Sequence, residues 1–170
     1  MRPAARTYRV SPLTLHLPDA AATEACGARI APLLAGGMIV TLRGDLGAGK
    51  TTLVRGLLRA CGVEGSIKSP TYALVEHYPV SSLYFYHFDF YRFMTPDDWD
   101  AAGFAEYFRD DAVCIVEWPE RAGDRLPQAD LALSLAYEAN EHGRELVARA
   151  NSASGERCLI ALADLAPPRN

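Results

Sequence analysis

The stretch Met38-Ile39-Val40-Thr41-Leu42-Arg43-Gly44-Asp45-Leu46-Gly47-Ala48-Gly49-Lys50-Thr51-Thr52-Leu53 decides how the rest of the chain reads. Met38 to Leu42 is a short, almost uninterrupted apolar run, the pattern of a strand buried on both faces. It feeds directly into a glycine-rich turn. Beyond the turn, Leu53, Val54, Leu57, Leu58 and Cys61 recur at helical spacing, with Arg55 and Arg59 on another face and Gly62 where a helix-ending glycine belongs. Buried strand, glycine turn and amphipathic helix is the local order.

Gly44 to Thr51 satisfies G-x-x-x-x-G-K-[ST], the phosphate-binding P-loop, and it lies in the strand-to-helix context that this motif requires. Glycines let successive backbone amides turn inward around phosphate oxygens with no Cβ in the way. Lys50 reaches the β and γ phosphates as a point charge, Thr51 offers its hydroxyl to Mg²⁺, and the helix adds the positive end of its dipole. The expected nucleotide contacts are therefore Asp45, Leu46, Gly47, Ala48, Gly49, Lys50, Thr51 and Thr52. Lysine usage agrees: the chain has fifteen arginines and two lysines, one of them where the motif demands it.

Working outward, the alternation Leu13, Leu15, Leu17 within Tyr8 to Leu17 reads as a strand, after which Asp19 caps a helix running to about Leu34. Pro32 disturbs its last turn, and Gly36 and Gly37 close it. Downstream, Tyr72 to Val80 and Leu83 to Phe90 are strand-like runs separated by Ser81 and Ser82, too short a gap for a crossover helix, so they form an antiparallel hairpin. Thr95 as N-cap, Pro96 and Asp98 then open a short helix, broken by Gly103 before Phe104 to Phe108. Ala112 to Val116 is another buried strand, ending in Glu117. Leu131 to Tyr137 and Glu145 to Ala150 flank a turn at Asn140 to Gly143 as a second hairpin, and Glu156 to Leu165 reads as a closing helix. Asn151 to Gly155 and the end at Pro167 and Pro168 read as structureless. The fold class is α/β: a P-loop NTPase-like sheet with parallel core strands, added antiparallel hairpins and helices on both faces, forming one nucleotide-binding domain over 1–170.

A phosphate site that hydrolyses needs a carboxylate near the metal and a group that orients water. Glu117 and Asp89 both end strand runs and both suit the task; spacing alone does not rank them. Glu117 follows the cleaner buried run and is assigned to Mg²⁺ with Thr51, directly or through water, while Asp89 takes the water-orienting or supporting role. Lys50, Asp89 and Glu117 are thus the expected catalytic set. Trp118 either leans on the nucleotide or fills a crevice. His87 shares a strand face with Asp89, and either bonds it or a phosphate or is satisfied in the core. Ser69-Pro70-Thr71, behind Lys68, reads as a switch-like loop near the γ phosphate or as an ordinary turn. Seven of sixteen aromatics fall between Tyr84 and Phe93, but they cover both faces of one strand, as an interior strand requires, rather than forming a stacking platform for RNA bases.

Composition sets the outer limits. A chain of 170 residues buries roughly 70% of the surface its unfolded form exposes. With 49% apolar residues, 22% charged residues and 24 glycines and prolines together, collagen-like, disordered and disulfide-scaffold classes are excluded. No apolar run approaches the roughly 18 residues of a membrane span, and the first thirty residues lack a secretory h-region, so a cytoplasmic protein without a membrane partner is expected. Cys26, Cys61, Cys114 and Cys158 match no zinc spacing and read as reduced packing residues. A formal charge of −4 argues against direct nucleic-acid binding, although residues 43–68 carry five basic groups against two acidic and 97–120 carry eight acidic against Arg109 alone.

Taken together, Gly44 to Thr52, Ser69-Pro70-Thr71, His87-Phe88-Asp89 followed by Tyr91-Arg92, and Glu117-Trp118-Pro119-Glu120-Arg121 resemble the TsaE (YjeE) family of bacterial P-loop ATPases over about residues 10–165. The first motif is shared by many NTPases; the four in this order are specific. The resemblance implies an ATP- and Mg²⁺-binding protein that hydrolyses ATP slowly alone. It implies work with TsaB and TsaD in attaching threonylcarbamoyl to the tRNA adenosine beside the anticodon (adenosine 37, giving t6A), with tRNA reached only through the complex. Lys50 and Thr51 match the Walker residues, Glu117 the magnesium-side glutamate, Asp89 the HxD aspartate and Trp118 the adjoining tryptophan. Tyr72 and Phe90 depart from the phenylalanine and leucine common there. Two other readings compete: a P-loop small-molecule kinase, disfavoured by the hairpin after the P-loop helix, and a nucleotide-gated scaffold with incidental hydrolysis.

Overall fold

The computed structural model describes residues 10–139 and 142–166. Seven strands form one sheet: β1 (Leu13–Leu17), β2 (Ile39–Arg43), β3 (Val75–Val80), β4 (Leu83–Asp89), β5 (Ala112–Glu117), β6 (Leu131–Tyr137) and β7 (Arg144–Ala150), in the order β1-β7-β6-β2-β5-β4-β3. The four inner strands β6, β2, β5 and β4 run parallel. Strands β7 and β1 extend one edge antiparallel, and β3 extends the other. All six residues of β5 are buried, as are the first four of β2, because both strands have neighbours on each side and cover on each face.

The four α-helices are α1 (Ala20–Ile30), α2 (Lys50–Ala60), α3 (Asp97–Ala101) and α4 (Ala153–Ala163). On one face, α1, α2 and α4 bury Ile30, Leu53, Leu57 and Leu162 against Leu42, Ile115, Leu133 and Leu146 of the sheet. α1 and α2 approach to backbone contact: a Cβ on Gly56 would lie 2.0 Å from the Glu24 carbonyl oxygen, and one on Gly27 would lie 2.1 Å from that of Leu53. The opposite face is covered by α3 and by 3-10 turns at Phe104–Tyr107 and Pro119–Arg125. There Phe88, Phe90, Phe93, Trp99 and Phe104 form a second core, with Phe90 and Phe93 stacked at 4.5 Å between ring centroids. Of the β4 aromatics, Tyr86 and Phe88 join this second core and Phe85 packs on the helix-covered side, while Tyr84 is exposed.

Several boundaries differ from the sequence reading. The first helix gives way after Ile30 to a 3-10 turn, Ala31–Leu33, that takes Pro32 at its start, where a missing N–H costs nothing. Strand β3 begins at Val75 because Leu74 adopts φ 68° and breaks the extended run. Thr95 does not cap α3; the carboxylate of Asp98 instead reaches back to the amides of Met94 (2.7 Å) and Thr95 (3.2 Å), with Pro96 at the N-cap position. Asn151 to Gly155 is not structureless: the Ser152 hydroxyl accepts from the Gly155 amide at 3.1 Å and starts α4 at Ala153. Tyr8 at the start of the first strand run, Asn140 of the second hairpin turn and the Pro167-Pro168 end lie outside the described residues.

This topology brings three chain segments to one edge. The carboxyl ends of the parallel strands β2, β4 and β5 deliver the glycine loop, Asp89 and Glu117 side by side, with Leu42 and Asp89 each paired to Glu117 across the ladder.

Candidate functional site

The loop between β2 and α2 turns on Gly44, Gly47 and Gly49, at φ 147°, 76° and 104°. At Gly44 a Cβ would come 2.4 Å from the Leu135 carbonyl oxygen, so the loop rests directly on the backbone of β6. The ammonium of Lys50 is buried in the loop, donating to the carbonyls of Gly44 at 2.7 Å and Asp45 at 2.9 Å and lying 4.4 Å from the ring centroid of Trp118. Burial pushes its pKa below the usual lysine value; Glu117, and then Asp89, act against that fall.

From behind, the β6–β7 hairpin grips the same loop. Tyr137 donates its hydroxyl to the Leu46 carbonyl at 3.2 Å, and Arg144 donates to the carbonyls of Ala48 at 3.1 Å and Gly47 at 3.3 Å. The Arg144 guanidinium also stacks 4.1 Å over the Tyr137 ring. Because a trans peptide places its C=O and the following N–H on opposite sides, holding the carbonyls of Leu46 and Ala48 rearward turns the amides of Gly47 and Gly49 forward. That is the orientation an anion nest needs.

Two carboxylates face the loop. Oε1 of Glu117 accepts from the Thr51 hydroxyl at 2.9 Å and lies 2.8 Å from Nε2 of His87. A carboxylate accepts only, so Nε2 carries the proton of that contact. Nδ1 of His87 is buried and has no hydrogen-bond partner among the described residues, a deficit of about 1–3 kcal/mol. Asp89 accepts from Ser69 and Thr71 on Oδ2 and from the Tyr91 amide on Oδ1, at 2.9 Å for the last. It thereby ties the Ser69-Pro70-Thr71 turn to the end of β4. Trp118 has a left-handed backbone, φ 57°, that folds its ring over Lys50.

Lys50, Thr51, Thr52, Asp89, Glu117 and Trp118 line a single cleft together with Leu46, Gly47, Gly49, Ser69 and Thr71. Its donors suit a hard cation: the Thr51 hydroxyl and the Glu117 carboxylate are oxygen ligands already in contact. Among the described residues no group of three or more His, Cys, Asp or Glu is placed to hold a metal ion unaided. A cation here would draw its remaining ligands from phosphate and water, the usual state of Mg²⁺ beside a nucleotide.

Residues 17–146 match the family model described as Threonylcarbamoyl adenosine biosynthesis protein TsaE. The chain is 40% identical over 144 residues to the Haemophilus influenzae tRNA threonylcarbamoyladenosine biosynthesis protein TsaE, across 82% of this chain and 91% of that one. This chain belongs to the TsaE family. The Bacillus subtilis TsaE protein is 37% identical over 110 residues, spanning 65% of this chain and 68% of its own. The fold matches the crystal structure of Bacillus subtilis YdiB with a TM-score of 0.77 at 28% identity, covering 93% of this chain and 98% of that one.

Against the expectations drawn from the four TsaE-like motifs, the structure brings Lys50, Thr51, Asp89, Glu117 and Trp118 to one cleft. Asp45 and Ala48 do not line it: Ala48 is fully buried, and Asp45 contributes its carbonyl to Lys50. His87 is buried and bonds not Asp89 but Glu117 on the next strand. Tyr137 and Arg144 escape a motif-by-motif reading because they lie some 90 residues beyond the loop they brace; no local pattern marks them.

Proposed function

We propose that this chain binds ATP with Mg²⁺ in the P-loop cleft, hydrolyses it slowly by itself, and supports TsaB and TsaD in t6A formation on tRNA as a nucleotide switch or reset factor. The observation that carries this is the meeting of Lys50, Thr51, Glu117 and Asp89 over one glycine loop. The relatives' names supply the pathway, and the site supplies the chemistry.

Amides of the loop and the α2 N-terminus bind the β phosphate, and Lys50 exchanges its loop carbonyls for β and γ oxygens. Thr51 and Glu117 would hold Mg²⁺, directly or through water, and the ion when bound neutralises charge on the β and γ oxygens. Asp89 uses three of about four acceptor positions on the Ser69–Thr71 turn and the Tyr91 amide, and the one left on Oδ1 orients a water toward the γ phosphate. Trp118 packs against Lys50 and keeps solvent from it. A formal charge of −4 fits a protein that reaches tRNA only through its partners. No helix among the described residues is long and apolar enough to cross a membrane, in keeping with a cytoplasmic role.

The test is a reconstitution with TsaB, TsaD, tRNA and the threonylcarbamoyl donor, counting modified nucleosides formed per complex. Wild-type chain is expected to sustain repeated rounds and the Lys50→Ala variant at most one. Repeated rounds with Lys50→Ala would make the hydrolytic reset dispensable, whereas ATP-driven assembly unaffected by Asp89→Ala would favour the nucleotide-gated scaffold.

A further inference from the structure

On β4 the side chains of Phe85, His87 and Asp89 alternate onto the face of the sheet that the long helices cover. His87 is fully buried there, and its hydrogen bond is to Glu117. Its Nδ1 is, among the described residues, the buried side-chain polar atom without a partner. An apolar ring would occupy the same space without that deficit. The imidazole is therefore explained by what Nε2 does.

What Nε2 does is asymmetric. Oε1 of Glu117 takes two donors, the Thr51 hydroxyl and His87 Nε2–H, whereas Oε2 takes no hydrogen bond from the described residues and belongs to a side chain lining the cleft. The Thr51 hydroxyl is a rotor that both donates and accepts, so it can leave Oε1 when a ligand competes for it. His87 is fixed in the sheet and cannot. We infer that His87 is a positioning residue, its Nε2–H pinning Oε1 of Glu117 so that Oε2 stays aimed into the cleft toward the cation accompanying the nucleotide. A neighbour that orients a metal-binding carboxylate characteristically changes metal affinity when removed, without touching the metal. This inference rests on the nucleotide reading above.

Two measurements test it. In a ¹⁵N–¹H correlation spectrum of the wild-type protein, His87 is expected to show a protonated Nε2 whose resonance moves in Glu117→Gln; an unprotonated Nε2 overturns the inference. Mn²⁺ affinity of the ATP-loaded protein, read by electron paramagnetic resonance, is expected to fall about 10- to 100-fold in His87→Leu. ATP affinity in EDTA should be unchanged, and His87→Gln, which restores an N–H at the same reach, should recover most of the loss. Unaltered Mn²⁺ affinity in His87→Leu, or an equal loss of ATP binding in EDTA, overturns it. Should His87→Leu fail to fold, the Gln variant and the spectrum decide. Failure of wild-type protein to bind ATP at all would strike the nucleotide reading instead, and the spectrum would still judge the His87–Glu117 contact.

Discussion

Lys50 stands between opposing forces: burial drives its ammonium toward neutrality, and Glu117 holds it charged. Removing that carboxylate in Glu117→Gln leaves desolvation less opposed, so the Lys50 pKa is expected to fall further. With Lys68 the other lysine in the chain, the two Nζ resonances are readily assigned by NMR titration; an unchanged or raised value in Glu117→Gln would contradict the arrangement. At this scale the sequence is informative where chemistry demands one residue type at one spacing, as at Lys50 and Thr51, whereas Glu117 and Asp89 are strand-end carboxylates that spacing alone does not rank. It is uninformative where a partner comes from another strand. Asp89 is two residues from His87, but residues i and i+2 of a strand lie about 7 Å apart, as far as a diagonal neighbour on the adjacent strand. Nothing local says that His87 turns toward Glu117.

Helix α2 carries the P-loop into the core, and its seat is set by Gly27 and Gly56, where α1 and α2 touch through their backbones. Gly56→Ala would gain about 0.5–1 kcal/mol of helix propensity. Its methyl group would also force the Glu24 carbonyl away, an overpacking that costs typically about 1–3 kcal/mol. The steric effect should win, so urea unfolding of Gly56→Ala is expected to show a net loss of stability, and a gain would show that the helices part freely. The periodicity of α2 is plain in Leu53, Val54, Leu57 and Leu58, all buried, yet the same pattern says nothing of how near a second helix comes. Capping was legible where a side chain acts on the residues just ahead, as Asp19 does for the Ala22 amide at 2.8 Å. At α3 it was not, since Asp98 caps backward, and at α4 the polar Asn151 to Gly155 segment looks like a loop until Ser152 is seen to cap it.

Across the whole molecule, the parallel core and the β3–β4 hairpin follow from runs that are apolar throughout or separated by two residues. The strand order does not. Pairing of β6 beside β2, which puts Tyr137 and Arg144 behind the loop, joins segments that no periodicity relates. Charge placement is likewise partly hidden: the acidic stretch beginning at Asp97 is offset by Arg125, which bonds Asp97 and Asp100 at 2.9 Å each. Those exposed pairs contribute little to stability. What unites the fold is that three strand ends and one hairpin converge on the glycine loop, where the proposed polyphosphate would sit. Isothermal titration of MgATP into wild type and Lys50→Ala tests this most directly. The account predicts saturable binding to wild type at one site, weakened about 100-fold or more in the variant, the loss expected when a charged partner of phosphate is removed. Equal affinity for the two proteins, or no binding to wild type, would contradict it.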